Sequence, residues 1–148
     1  MKNVLLIEDS PDDIELAVLA FKRMNSDDHL VVVEDGQAAL DYLFAKGEYR
    51  ERKADRLPNL ILMDLNLPKV GGLDVLKQMR ASETTNHIPV VILSTSDEDK
   101  DIRNGYKLGA NSFVRKPVDF NEFVQVMKQV QEYWLGVNTH PTPLAGPQ

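Results

Sequence analysis

The chain has 148 residues, 43% of them apolar and 27% charged, with a net charge of -6 and a pI near 5.0. That is enough chain for one globular domain with a real core. The acidic balance excludes non-specific nucleic-acid binding, which rests on basic contacts to phosphate, and attraction to an anionic membrane surface. With no cysteine, disulfides, thiolate catalysis and Cys-based metal sites are excluded as well. No apolar run approaches the ~18 residues that span a bilayer or makes a signal-peptide core, so a cytoplasmic protein is expected.

The first element is the uninterrupted apolar run Val4 to Ile7, which ends in Glu8 and Asp9. Ser10 is placed to cap a helix with Pro11 at its first position and Asp12 and Asp13 in its first turn, where acids complement the dipole. Ile14, Ala17, Val18, Phe21 and Met24 recur at helical spacing on one face, and residues 25–28 close the helix. Leu30 to Val33 is a second strand. Asp35-Gly36 can mark a hairpin, but Gln37 to Phe44 carries Ala39, Leu40, Leu43 and Phe44 at helical spacing, so strand, turn and helix is the better assignment.

Residues Gly47 to Leu57 are polar and of alternating charge, and are read as a surface insertion. Leu60 to Met63 follows Pro58 as a continuous apolar run, the signature of a strand buried on both faces of a parallel sheet. It ends in Asp64, with Asn66 and Pro68 in the turn. Gly71-Gly72 leads into a helix with Leu73, Leu76 and Met79 inward. Pro89 to Leu93 is the fourth strand, ending in Ser94 and Thr95. Ser96 or Asp97 caps the next helix, whose Ile102, Tyr106 and Gly109 share a face. Ser112 to Arg115 is a short fifth strand, followed by Lys116-Pro117. Asp119 and Glu122 form a capping box for a last helix that buries Phe120, Phe123, Val124, Met127 and Val130 and reaches Trp134. From Gly136 onward Pro, Gly and Thr predict little local structure. The domain is therefore 1–135, with the insertion at about 47–57, and 136–148 is a Pro-rich tail.

Five β-then-α units predict an α/β fold, a five-stranded parallel sheet with helices on both faces, doubly wound and flavodoxin-like. In such a sheet the strand ends converge on one rim, where ligands bind. Glu8, Asp9, Asp64, Ser94, Thr95 and Lys116 all fall there. Converging carboxylates repel unless a cation joins them, and oxygen-only ligands suit a hard ion, Mg²⁺ first. Asp9 and Asp64 can supply carboxylates and Asn66 its backbone carbonyl. A strand-end carboxylate beside a metal and a lysine is arranged to attack a phosphoryl group.

These residues, with Gly72, Phe113 and Pro117, resemble the receiver domain of two-component response regulators, over residues 3 to about 133. The resemblance implies that Asp64 is the phosphoacceptor and that Glu8 and Asp9 complete the Mg²⁺ pocket. It also implies that Lys116 and the Ser94-Thr95 step contact phosphate, that Ser94 and Phe113 form the switch, and that Lys116-Pro117 is cis. Glu8 stands where Asp is usual, Thr95 where a smaller residue is common, and the 47–57 loop is long. That loop, the Tyr133-Trp134-Leu135-Gly136 segment and the lack of an output domain are similar to single-domain regulators paired with bacterial and cyanobacterial phytochromes.

The expected function is phosphoacceptance from a sensor histidine kinase, phytochrome being the narrower match. The signal passes through the face of the fourth helix, fifth strand and fifth helix. Self-dephosphorylation is slow at most, so the chain is not an enzyme. A homodimer through Tyr133, Trp134 and Leu135 is expected, with neither nucleic acid nor membrane as partner. Three other readings compete: a Mg²⁺-dependent phosphohydrolase, for which Asn66 cannot serve as general acid; an FMN carrier, whose phosphate Glu8 and Asp9 would repel; and a receiver-shaped scaffold that is never phosphorylated.

Overall fold

A computed structural model describes residues 2–24, 27–53 and 56–141. Five parallel strands, β1 (Asn3–Ile7), β2 (His29–Val33), β3 (Leu60–Met63), β4 (Val90–Ser94) and β5 (Ser112–Arg115), form one sheet in the order β2-β1-β3-β4-β5. Among the described residues five α-helices connect and follow them: α1 (Pro11–Arg23), α2 (Gly36–Leu43), α3 (Gly72–Arg80), α4 (Asp99–Lys107) and α5 (Phe120–Gln131).

The unbroken apolar runs split into two cores. Leu5, Ile7, Ile61, Met63, Val90 and Ile92 pack beneath α2 and α3. Val4, Leu6, Leu60, Leu62, Val91 and Leu93 pack beneath α1 and α5. Successive strand side chains point to opposite faces, so a strand covered on both sides must be apolar at every position. The central strands β1, β3 and β4 are buried throughout, whereas the edge strands β2 and β5 are only partly so.

The caps follow the sequence closely. Ser10 Oγ accepts the Asp13 N–H with Pro11 at the first helical position. Asp35 Oδ1 accepts the Ala38 N–H at 2.7 Å, so α2 begins one residue earlier than its periodicity suggests. Asp119 accepts the Glu122 N–H at 3.0 Å. The cap of α4 falls later than expected, at Glu98, which makes no side-chain bond to the helix. Ser96 instead accepts the Glu98 N–H and donates to Asp101.

Several side chains lie elsewhere than the pattern predicts. Phe120 is 45% exposed: as the first residue of α5 it projects beside Leu16 and Leu19 of α1 rather than under the helix. The inward residue of α4 is Gly105. Tyr106 is exposed, and Gly109 lies past the helix end at φ +110°. The insertion contributes a 3₁₀ turn at Gly47–Tyr49.

The segment after α5 is more ordered than its composition suggests, because Glu132–Val137 continues as a π turn. A ring nitrogen of His140 lies 2.7 Å from Trp134 O. Asn25 and Ser26 of the expected helix-closing segment lie outside the described residues, as do Ala54 and Asp55 of the insertion and 142–148 of the tail. Among the described residues no helix is long and apolar enough to cross a membrane.

Candidate functional site

The carboxyl ends of β1, β3 and β5 and the first turn of α1 meet at one nook. Strand register sets this up: Ile7 pairs with Met63, so Glu8 and Asp64 leave the sheet side by side. Ser94 pairs with Arg115, and the Lys116 N–H donates to Ser94 O at 2.8 Å. Lys116 therefore starts level with the rim and turns its side chain inward. Its Nζ donates to Glu8 Oε2 at 2.7 Å, Asp13 Oδ2 at 2.8 Å and Asp64 Oδ2 at 3.2 Å. The Lys116 side chain is only 6% exposed and that of Glu8 3%.

Among the described residues Glu8, Asp9 and Asp64 form a group whose ligand oxygens all lie within 4.8 Å of one another. The donors are carboxylate oxygens alone, which fits a hard divalent cation rather than zinc or copper. Asp9 is exposed and Asp64 partly so, whereas Glu8 is buried, with its second oxygen accepting the Ser10 N–H. The two Asp side chains are thus the ones free to meet a cation directly.

Burial is the main force raising the Glu8 carboxyl above its ordinary value, and Lys116 only partly counters it. Burial pushes Lys116 the other way, but the hydrogen bonds to Asp13 and Glu8 and the field of Asp64 outweigh it, so its pKa rises too. The two rises have different causes: Glu8 holds its proton because burial disfavours the carboxylate, and Lys116 holds its own because acids surround it.

Ser94 is completely buried. Its Oγ accepts the Ser96 N–H at 3.1 Å, which uses a lone pair and leaves the hydroxyl proton free to donate. Thr95 is exposed beside it. Asn66 is exposed, and its N–H lies 3.4 Å from Asp64 Oδ1. Phe113 is partly buried against the core under α2 and α3.

The expected cis bond is absent: no cis peptide occurs among the described residues, so Lys116-Pro117 is trans, the isomer X-Pro bonds prefer, and Lys116 reaches the nook regardless. Leu135 is buried inside the chain's own core and Trp134 packs against it, because the π turn carries the apolar stripe of α5 onward. Of the three residues assigned to a dimer face only Tyr133 is exposed. The residue that sequence reasoning missed is Asp13. Its signal was available: a helix that starts at the rim puts its first turn over the site.

A doubly wound parallel sheet with an oxygen-only cation nook and a buried lysine at its carboxyl rim defines the class. Residues 4–128 match the response regulator receiver domain, and the chain belongs to that family. It is 40% identical to the probable methanogenesis regulatory protein FilR2 of Methanothrix harundinacea over 140 residues, 95% of this chain and 88% of that protein. It is 35% identical to response regulator Rcp1 of Synechocystis over 140 residues, 95% and 93% of the two chains. The crystal structure of Rcp1 in its Mn²⁺-bound form superposes with a TM-score of 0.89, at 34% identity, over 96% of this chain and 100% of the other. The structure of the phosphorylated cyanobacterial phytochrome response regulator RcpA does so with a TM-score of 0.90, at 38% identity, over 95% and 99%.

Proposed function

We propose that this receiver accepts a phosphoryl group on Asp64 from the phosphohistidine of a sensor histidine kinase, a phytochrome being the kinase class its relatives suggest. A carboxylate oxygen of Asp64 attacks phosphorus. The P–N bond breaks and its electron pair stays on the imidazole nitrogen, which takes up a proton. The product is an acyl phosphate. Lys116 offsets charge on the transferring oxygens, and Ser94 donates its free proton to them. Asp9 and Asp64, with Glu8 behind them and the Asn66 carbonyl alongside, would hold Mg²⁺, which supplies further charge neutralisation when bound.

The observation that carries this reading is the ammonium of Lys116 within hydrogen-bonding distance of Asp64, at the edge of a three-carboxylate nook. A docking surface for the kinase lies alongside. Val118 is fully exposed, and Phe120 lines a groove of about 300 Å³ with Leu16, Leu19, Asp12 and Glu15.

Phosphorylation adds charge and acceptor oxygens at Asp64. Ser94 moves toward them, the loop into α4 follows, and Phe113 turns into the space vacated. The face of α4, β5 and α5 then changes for a downstream protein or for a second copy, with exposed Tyr133 in that contact. This is a shift between two states of the chain, driven by preferential binding of phosphate to one. The reading puts the protein in the cytoplasm with its kinase, as a phosphoacceptor rather than an enzyme.

The test is incubation of wild type and Asp64→Asn with labelled acetyl phosphate and Mg²⁺, with and without chelator, followed by transfer from an autophosphorylated phytochrome kinase. Hydroxylamine-labile label on wild type alone, lost with chelator, is the expected result. A wild type that stays unlabelled overturns the reading.

A further inference from the structure

Asp13 is not at a strand end and is not among the three acids whose oxygens cluster, yet it makes one of the two shortest contacts to Lys116. An ammonium has three N–H donors and no acceptor. Here three carboxylates, on Glu8, Asp13 and Asp64, each lie within hydrogen-bonding distance. The lysine stem is long, and its rotamer freedom must be suppressed for one N–H to hold a fixed direction. Two anchors do this where one would leave the ammonium free to swing about the remaining bond. Glu8 is the buried anchor from β1. Asp13 is the outer anchor, its side chain 29% exposed, and its own backbone is fixed by the Ser10 cap.

We propose that Asp13 is a positioning residue for phosphoryl acceptance: with Glu8 it forms a two-point mount that keeps the third N–H of Lys116 aimed at Asp64. The inference rests on the receiver reading above and adds a residue to it. Asp13 acts through Lys116 and not through the cation, because its carboxylate stands outside the cluster that can ligate a metal. When Asp64 carries phosphate, the same mount keeps Lys116 at the rim while its free N–H follows the new oxygens.

The experiment uses the full chain as wild type, Asp13→Ala, Asp13→Asn and Lys116→Gln, and the double variant Asp13→Ala/Lys116→Gln. It has three readouts: the rate of labelling by phosphoramidate at saturating Mg²⁺, the Kd for Mn²⁺, and the NMR signal of the Lys116 ammonium without metal. A charge-assisted hydrogen bond to a partly exposed group predicts labelling about tenfold slower in Asp13→Ala, and a smaller loss in Asp13→Asn, which keeps an acceptor. The Mn²⁺ Kd stays at the wild-type value, the ammonium signal broadens in Asp13→Ala, and Asp13→Ala adds nothing in the Lys116→Gln background.

Wild-type labelling of Asp13→Ala overturns the inference while leaving the receiver reading intact. So does a parallel loss of Mn²⁺ affinity, or an undiminished effect without Lys116. A wild type that takes no label overturns the receiver reading, and the assigned role of Asp13 in phosphoryl acceptance falls with it. The ammonium signal then reports only whether Asp13 holds Lys116.

Discussion

The hydroxyl of Tyr106 on α4 accepts the backbone N–H of Phe113 on β5 at 3.2 Å. β5 is an edge strand, so part of its backbone has no neighbouring strand to bond, and a helix side chain satisfies this N–H. One residue earlier, Gly105 lies against the Phe113 ring, where an added Cβ would stand 3.4 Å from it. α4 therefore holds Phe113 twice, by ring and by backbone. Tyr106→Phe is expected to leave the fold intact at a cost of about 1 kcal/mol or less, since the phenol is half exposed. It should also speed exchange of the Phe113 amide. Hydrogen exchange resolved at that amide checks it, and unchanged protection would separate Tyr106 from the strand.

Gly72 sits where the chain returns beneath Asp64. A Cβ there would meet the Asp64 carbonyl oxygen at 2.5 Å and the Leu65 Cα at 3.0 Å, and both are backbone atoms that cannot rotate aside. Gly72→Ala should therefore destabilise by roughly 1–3 kcal/mol, against a helix-propensity gain of at most about 1 kcal/mol. Because the strain falls on Asp64 itself, labelling by acetyl phosphate should drop further than at Gly71, where an added Cβ meets nothing within 4 Å. Urea midpoints and labelling rates of the paired variants Gly71→Ala and Gly72→Ala provide the comparison.

The raised pKa of Glu8 fixes a sign for pH dependence. Its folded value lies above the ordinary 4.5 because burial disfavours the carboxylate. The folded state thus binds that proton more tightly than the unfolded state does. The resulting stabilisation is complete below the unfolded value and is lost as pH rises through the folded one. Glu8→Gln mimics the protonated form at every pH. The stability of wild type minus that of Glu8→Gln should therefore fall as pH rises above the ordinary carboxyl value of 4.5. Denaturant midpoints of the two proteins across that range measure it, and a flat difference would contradict the burial argument.

The fold was legible where one physical requirement left a local mark. Strands covered on both faces need apolar residues at consecutive positions, so Val4 to Ile7 and Leu60 to Met63 read directly. Ser10 with Pro11, and Asp119 with Glu122, marked helix starts because a cap is a bond within a few residues. The rim acids and Lys116 followed from topology, since parallel strands bring their carboxyl ends together. What stayed hidden depends on contacts distant in sequence or on the geometry of helix ends. Asp13 and Lys116 are 103 positions apart, and Asp13 reads as an ordinary first-turn acid until β5 is placed beside it. Leu135 looks free to pair with a second copy until the π turn rotates it inward. Phe120 looks buried by period, but a helix's first residue can project past the face its successors cover.

The insertion was read as solvated by its alternating charges, but Arg52 is an exception with a measurable consequence. Its guanidinium donates to the carbonyl oxygens of Tyr42 at 2.5 Å and Leu43 at 3.1 Å, at the end of α2 where carbonyls lack helical partners. It also lies over the Tyr42 ring, 5.4 Å from its centroid, and Tyr49 meets the same ring edge-on at 5.2 Å. One arginine from the loop thus closes the helix and ties the loop to it. Arg52→Ala should cost about 1–2 kcal/mol, the scale of hydrogen bonds to a charged group at a partly exposed site. Arg52→Lys should recover less than half, because an ammonium lacks the planar fork that reaches two carbonyls and stacks on a ring. Limited proteolysis should then cut within residues 47–53 sooner than in wild type. Equal stability of the Lys variant and wild type would reduce Arg52 to a surface charge.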